Sequence, residues 1–377
     1  MGFTPEFFLY AAIFGLTYGI LLQKADFCFV ASVRDFISVK DSRVGKGVLI
    51  LVATVLLGWG TVLTLGLASI EQVWTTPIGW SNLIGGILFG VGMTIAGSCA
   101  SGTLYRSGMG YIHFWIVLAS MIVGNLLFSF IYNPWAEDYY FKPLLVTDQG
   151  YSLFQLNLPY LFLPLLIVGL MIFIAIRQFG IKGFFQGFKE SFADFKGNPF
   201  KKEHWDIRLV AALFGITATV QFVMMSSISL TGPETRIGGV ALSLIFGDQF
   251  VYNNVYLNQM FAGFPVIGLG PEETLVIFII VGAFLSAILS GQFRIRKPKA
   301  ARMPYAIGGG LIMGVSSRMA PGCNIANIVG ASGLSVSSII VIIGMVIGVV
   351  IVTAFVFKMP LLLFQKMDMD MEFEMES

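Results

Sequence analysis

Charge is scarce in this chain: only 12% of its 377 residues are Asp, Glu, Lys or Arg, against roughly 25% in a soluble domain. Water is therefore not the main solvent for its surface. Histidine is scarcer still, with His113 and His204 alone, and the three cysteines, Cys28, Cys99 and Cys323, form no CxxC pair. A zinc or iron–sulfur centre lacks ligands, and an odd number of widely spaced cysteines is no disulfide framework. No P-loop fingerprint is present, and a net charge of +2 gives no overall pull towards nucleic acid. Neither a cofactor nor a nucleic-acid partner is expected. The first apolar run, Phe7 to Leu22, has no basic leader and no small-residue cleavage site, so it reads as a retained helix and not as a signal peptide.

Hydrophobic residues make up 56% of the chain, and mean hydropathy is +0.83. Runs of about 20 apolar residues, the length that crosses a hydrocarbon core, recur throughout. The expectation is an all-α polytopic membrane protein whose solvent is the lipid bilayer. About nine spans are placed near 6–23, 45–70, 78–98, 111–132, 158–177, 207–230, 273–293, 303–323 and 335–357, with short re-entrant helices between them. Charge is sorted by loop. Lys24, Arg34, Lys40, Arg43 and Lys46 follow the first span, Lys182 to Arg208 occupy the middle loop, and Arg294, Arg296, Lys297, Lys299 and Arg302 form a third cluster. The positive-inside rule puts these in the cytoplasm. The alternate connections, with Glu71, with Glu137, Asp138 and Asp148, and with the acidic 231–272 region, then face outside. The N-terminus is expected outside and the C-terminus inside.

A faint repeat divides the chain. Gly85-Gly86, Gly90-Val91, Ala96 and Cys99 recur 224 positions later as Gly309-Gly310, Gly314-Val315, Ala320 and Cys323, and Phe14-Gly15-Leu16-Thr17 is echoed by Phe214-Gly215-Ile216-Thr217. Four spans on either side of the 158–177 helix make the second half inverted relative to the first, an arrangement that places a substrate site at the interface of the halves. The chain is accordingly divided into a first repeat, 1–157, a linking helix and amphipathic cytoplasmic loop, 158–206, a second, inverted repeat, 207–360, and an acidic Met-rich tail, 361–377. Helix breaks are expected at Gly97-Ser98-Cys99-Ala100-Ser101-Gly102 and at Ala320-Pro321-Gly322-Cys323-Asn324, where glycine and proline undo helical continuity. Asp26 to Val39, too short and polar to cross, reads as a segment dipping in from the cytoplasmic side, with the 236–262 stretch as its mate. All three cysteines fall in these irregular segments, where unwound backbone is tolerated only if it lines a cavity or is buried in protein. Small buried hydrophobes filling tight helix contacts are the plainer reading of such cysteines.

Leu22-Gln23-Lys24-Ala25-Asp26-Phe27-Cys28-Phe29 with Arg34-Asp35, then Ala96-Gly97-Ser98-Cys99-Ala100-Ser101-Gly102-Thr103-Leu104-Tyr105-Arg106, then Pro321-Gly322-Cys323-Asn324-Ile325 resemble the three cysteine signatures of the YeeE/YedE sulfur-transport family. The resemblance spans both halves. It implies a prokaryotic inner-membrane importer of thiosulfate with an hourglass-shaped fold of inverted halves, whose function depends on the cysteines matched here by Cys28, Cys99 and Cys323. It also implies docking of a small cytoplasmic sulfur-carrier protein as a possible role for the tail. The third signature departs from the family, because Pro321 precedes Gly322 and Ala326 stands where a glycine is common. Another reduced sulfur species or a selenium oxyanion stays open as substrate.

The chemistry of such an ion fits these residues. Thiosulfate is a dianion with three oxygens and one soft sulfur. A neutral thiol offers it a weak S–H donor, weak enough for the ion to leave, as conduction requires. Backbone N–H groups freed at the breaks around Gly97, Ser98, Gly102, Gly322 and Asn324 suit the oxygens. Arg106 and Arg318 stand close to the breaks and would attract anions, although snorkelling to an interface is an equal reading of both. The competing classes are a membrane sulfurtransferase passing a cysteine persulfide, a nonselective channel and an assembly protein. No base stands beside any cysteine in sequence except Asp26, so an enzyme is not expected.

Overall fold

Nearly every apolar run is helical, since backbone polar groups in hydrocarbon must be satisfied within their own segment. The computed structural model describes residues 5–135, 150–156, 158–191, 199–261, 266 and 268–358. The first half comprises α1 (Pro5–Ala25), α2 (Phe29–Val39), α3 (Arg43–Thr64), α4 (Trp80–Ala96), α5 (Ala100–Gly108) and α6 (Ile112–Trp135). The linking helix is α7 (Phe162–Ser191). The second half runs through α8 (Ile207–Met224), α9 (Thr231–Phe246), α10 (Asp248–Asn253), α11 (Val255–Met260), α12 (Pro271–Leu289), α13 (Met303–Met319), α14 (Asn324–Ser332) and α15 (Val336–Val352), the last continuing into a π turn at Thr353–Lys358. No strand is present among the described residues. This is a polytopic all-α membrane protein.

Among the described residues, seven stretches are long and apolar enough to cross a bilayer: Pro5–Val39, Arg43–Thr64, Trp80–Gly108, Ile112–Tyr132, Ile207–Met224, Pro271–Leu289 and Val336–Phe355. The other two expected spans are helical but shorter. In α7 the apolar part is Phe162–Arg177, and α13 stops after 17 residues because Pro321 and Gly322 follow. The mate of the dipping segment starts at Thr231, five residues before the expected 236. The 180–191 part of the expected amphipathic loop continues α7 and is not a separate helix. The rest of that loop to 198, the acidic residues Glu137, Asp138 and Asp148, and the 361–377 tail lie outside the described residues.

The faint sequence repeat is a repeat of contacts. Helix α1 packs on α12 while α3 packs on α8, and α4 packs on α15 while α6 packs on α13; α4 and α13 also pack on each other. The register is reciprocal residue by residue. A Cβ on Gly86 would strike the carbonyl of Val341, and one on Gly310 that of Val117. Gly90 likewise faces Met345 and Gly314 faces Met121, while Gly124 faces Leu311 and Gly348 faces Ile87. Each member of every pair maps onto its mate by the 224 offset. Contacts that exchange the halves in this way describe a pseudo-two-fold axis between α4 and α13. Glycine is required at these positions because backbone meets backbone, as in close-packed membrane helices.

Candidate functional site

All three cysteines cap short helices. Cys28 is the residue before α2, Cys99 before α5 and Cys323 before α14. Their extended conformations follow residues that turn the chain through positive φ: Asp26 at 48°, Gly97 at 77° and Gly322 at 103°. The expected breaks at 97–102 and 320–324 are therefore present, and Cys99 and Cys323 share nearly the same backbone, with φ −84° in both and ψ of 174° and 178°. All three thiols are buried.

The structure brings Cys28 and Cys99 together, their sulfurs 3.5 Å apart. Cys99 Sγ also lies 3.4 Å from the Gly102 N–H, which donates to it, and 3.4 Å from the hydroxyl of Ser101. Gly102 has to be glycine here: a Cβ would collide with Ser98 Oγ and come within 3.3 Å of both sulfurs. Ser98 itself is buried and bonds the Cys99 carbonyl at 3.3 Å. Cys323 is placed differently. Its sulfur takes no cap hydrogen bond, and no other thiol bonds it among the described residues. Next to it, both polar atoms of the Asn324 side chain are buried without a hydrogen-bond partner. The Nδ2 of Asn327 donates to the Cys323 carbonyl at 3.0 Å, while Gly322 leaves room for the ring of Trp74.

Two polar cavities approach the helix breaks. The larger, about 790 Å³, is lined by the 71–76 segment with Trp74, by Ser226 to Ser229, and by Arg236, Arg318, Pro321 and Gly322. It reaches the Cys323 break. The smaller, about 330 Å³, is lined by Gln23, Asp26, Arg106, Tyr111, His204, Gln292, Arg294 and Arg296, among others. It is lined by Asp26 of the Cys28 break and by Arg106, which donates to the Gly97 carbonyl of the Cys99 break. The two lie at opposite ends of α8 and α12: His204 and Gln292 belong to the smaller, Ser226 and Glu272 to the larger. Basic clusters meet around the smaller cavity. Lys24 is fully buried with its ammonium on the carbonyls of Phe200, at 2.9 Å, and Lys202, at 2.5 Å, and the Arg296 N–H donates to the Gly110 carbonyl at 3.0 Å.

The two arginines flagged by the sequence do not snorkel. Arg106 points inwards, 3.1 Å from the Asp26 carboxylate and 3.3 Å from the Gly97 carbonyl, and stacks over Tyr105 and Phe114. The hydroxyl of Tyr105 donates to the same Asp26 oxygen. Arg318 is buried, and its guanidinium donates only to hydroxyls, those of Thr231 and Ser317; it makes no ion pair among the described residues. Arg236, at the mouth of the same cavity, is by contrast held by Glu272 at 2.6 Å and by Glu273. Sequence reasoning missed Glu234, Tyr105, Trp74 and Thr231 at these sites. For Glu234 the available signal was an acid in the first turn of a helix whose one other charged residue is Arg236. No group of His, Cys, Asp and Glu that would hold a metal occurs among the described residues.

A family model described as sulphur transport matches residues 24–351. The chain is 28% identical over 341 residues, 86% of itself and 91% of the relative, to a protein of Spirochaeta thermophila named thiosulfate transporter TsuA. To a protein of the same name from Escherichia coli it is 27% identical over 335 residues, 84% of each. A third relative, a probable transporter of Escherichia coli named YedE, is 30% identical over 169 residues, which is 44% of this chain and 39% of that protein.

Proposed function

Since this chain belongs to the sulphur-transport family, whose model covers residues 24–351, we propose that it imports thiosulfate, or another small sulfur anion, across the inner membrane of a prokaryote. The observation that carries the proposal is a pair of polar cavities at opposite ends of the same helices, the larger lined by Pro321 and Gly322 of the Cys323 break and the smaller by Asp26 of the Cys28 break and by Arg106, which bonds the Gly97 carbonyl. The larger cavity is the entry vestibule. An incoming dianion is drawn by Arg318, a buried guanidinium that makes no ion pair among the described residues, in surroundings of low dielectric where the attraction is strong. It passes the Cys323 thiol, then the Cys99 and Cys28 pair, each S–H making a weak bond to the soft sulfur while freed N–H groups of α5 and α14 face the oxygens. Weak successive sites let the ion leave as well as enter. The smaller cavity, where the basic clusters meet, is the cytoplasmic exit under the positive-inside rule.

The domain division at 157, 206 and 360 follows from the same reading, with the pseudo-two-fold axis relating inverted halves. A sulfurtransferase is disfavoured because no base bonds any of the thiols among the described residues, and the carboxylate nearest in sequence, Asp26, is engaged by Tyr105 and Arg106. Uptake of labelled thiosulfate into cells lacking their own importer, with sulfate, sulfite and selenite as competitors, tests the assignment. The expected result is uptake above vector controls that thiosulfate outcompetes sulfate for. No uptake above the control refutes it, and preferential competition by selenite moves the substrate to selenium.

A further inference from the structure

Two arginines line the larger cavity and are held in opposite ways. Arg236 lies between carboxylates, those of Glu272, at 2.6 Å, and Glu273. Arg318, in the last turn of α13, is held by hydroxyls. Its Nη2 donates to Thr231 Oγ1, at the start of α9, and its Nε donates to Ser317 Oγ at 3.2 Å. The Ser317 hydroxyl in turn lies 2.8 Å from the Asn125 Oδ1 of α6 and 2.8 Å from the Gly314 carbonyl. Both are acceptors, so its one hydrogen turns to them and a lone pair is left for Arg318. Thr231, Ser317 and Asn125 are all 0% exposed.

Hydroxyls fix a guanidinium without cancelling its charge. Carboxylates would fix it as firmly and then compete with an incoming anion. Of the five N–H donors of a guanidinium, the hydroxyls take two; Nη1 and the second hydrogen of Nη2 make no hydrogen bond among the described residues. The acid one turn further along α9, Glu234, accepts none either. A long side chain that swings freely loses rotamer entropy each time it grips a ligand, and one already fixed does not.

We propose that Thr231 and Ser317, with Asn125 behind Ser317, are positioning residues for an oxyanion site at Arg318. They hold the guanidinium in one orientation on the wall of the larger cavity, with its charge intact and its remaining N–H donors available to two oxygens of a small dianion. The identity of that dianion as thiosulfate rests on the transport reading above. The cradle is assembled from three helices, α6, α9 and α13, so an anion at Arg318 senses the packing of α9 and α6 on α13.

Labelled thiosulfate is the probe, bound at equilibrium to the purified full-length protein and taken up by vesicles that contain it. Thr231→Val keeps the shape and loses the hydroxyl, while Thr231→Ser keeps the hydroxyl and loses the methyl. Thr231→Val is expected to raise Kd and KM several-fold with less change in maximal rate, and Thr231→Ser to restore both constants. A hydroxyl that only ties α9 to α13 predicts a lower melting temperature with Kd and KM unchanged. That result, or an equal rise in both variants, overturns the cradle. Where Thr231→Val does not assemble, Ser317→Ala removes the other hydroxyl and carries the same expectation. A wild-type protein that binds thiosulfate without taking it up overturns the transport reading alone, and the comparison of Kd values still decides the cradle. One that neither binds nor takes up thiosulfate overturns both.

Discussion

The two broken hairpins, α4 to α5 around Cys99 and α13 to α14 around Cys323, share a backbone and differ in what surrounds the sulfur. Around Cys99 the environment is crowded and reactive in kind, with a second thiol at 3.5 Å, Ser101, and the Arg106, Asp26 and Tyr105 cluster close by. Around Cys323 it is quieter, with no cap hydrogen bond to the sulfur and with an Asn324 whose side chain has no partner among the described residues. A duplicated helix hairpin thus supplies the same cap geometry twice, while the side chains brought up by other helices specialise each copy. Pro321 and Gly322 of one copy line the larger cavity, while Arg106 of the other lines the smaller.

The largest effect expected concerns the sulfurs themselves. Serine keeps the size and the donor but loses the polarizable sulfur, so Cys99→Ser and Cys323→Ser are each expected to lower labelled-thiosulfate uptake per membrane-inserted protein at least about tenfold, as loss of one interaction worth roughly 1.4 kcal/mol does. Cys28→Ser is expected to be milder, its neighbour Cys99 remaining. Were the sulfurs only packing, replacement by Ala would cost about 1 kcal/mol of stability and leave uptake near normal; full activity in both serine variants would break the comparison at its root.

Second in size is the glycine that holds the Cys28 and Cys99 pair together. Gly102→Ala drives a methyl against both sulfurs and Ser98, an overpacking of about 1–3 kcal/mol, and is expected to reduce uptake several-fold while the protein still inserts. Wild-type uptake in this variant would show that the sulfur pair is not part of the route.

Next come the cations. Arg318→Gln removes the guanidinium that makes no ion pair among the described residues, and its expected signature is a several-fold higher KM for thiosulfate, as loss of one charge-assisted bond worth about 1.5–3 kcal/mol predicts. Arg106→Gln is expected to act less on KM, because Asp26 already neutralises that guanidinium and the carboxylate is half in solvent, where such pairs contribute about 0–1 kcal/mol. Concentration-dependent uptake for both variants checks the order, and an equal rise in KM would remove the distinction between entry and exit.

The smallest effect is expected at Ala326, which the 224 offset makes the mate of Gly102. No second sulfur crowds it, so Ala326→Gly is expected to cost only the helix penalty of about 0.5–1 kcal/mol, seen as a slightly lower melting temperature with uptake unchanged. A large loss of uptake would reveal a tighter packing around Cys323 than its surroundings suggest.

The contrast also explains why sequence reading served the fold better than the site. Apolar run length gave the helices, and Gly97, Pro321 and Gly322 gave the breaks, because each acts through local backbone chemistry. It overestimated α13, where proline ends the helix before a bilayer's length is reached. The 180–191 part of the expected amphipathic loop continues α7, since nothing in that stretch stops the helix. Lys24 was placed in a basic loop, yet it is buried as a cap on two carbonyls of a segment some 180 positions away, a pairing that local pattern cannot reveal.

Composition and spacing alone determined that this chain lives in a bilayer, that it is built twice at an offset of 224, and that each cysteine sits where a helix fails. Those properties depend on neighbours in sequence and on solvent. Only the tertiary structure decided that Cys28 meets Cys99 across 71 positions and that, among the described residues, Arg318 makes no ion pair while Arg236 makes two and the buried Glu234 carboxyl has no hydrogen bond. Those depend on which faces the two-fold packing of α4 and α13 brings together, and burial by distant helices, not local propensity, sets the charge balance at the floor of the larger cavity.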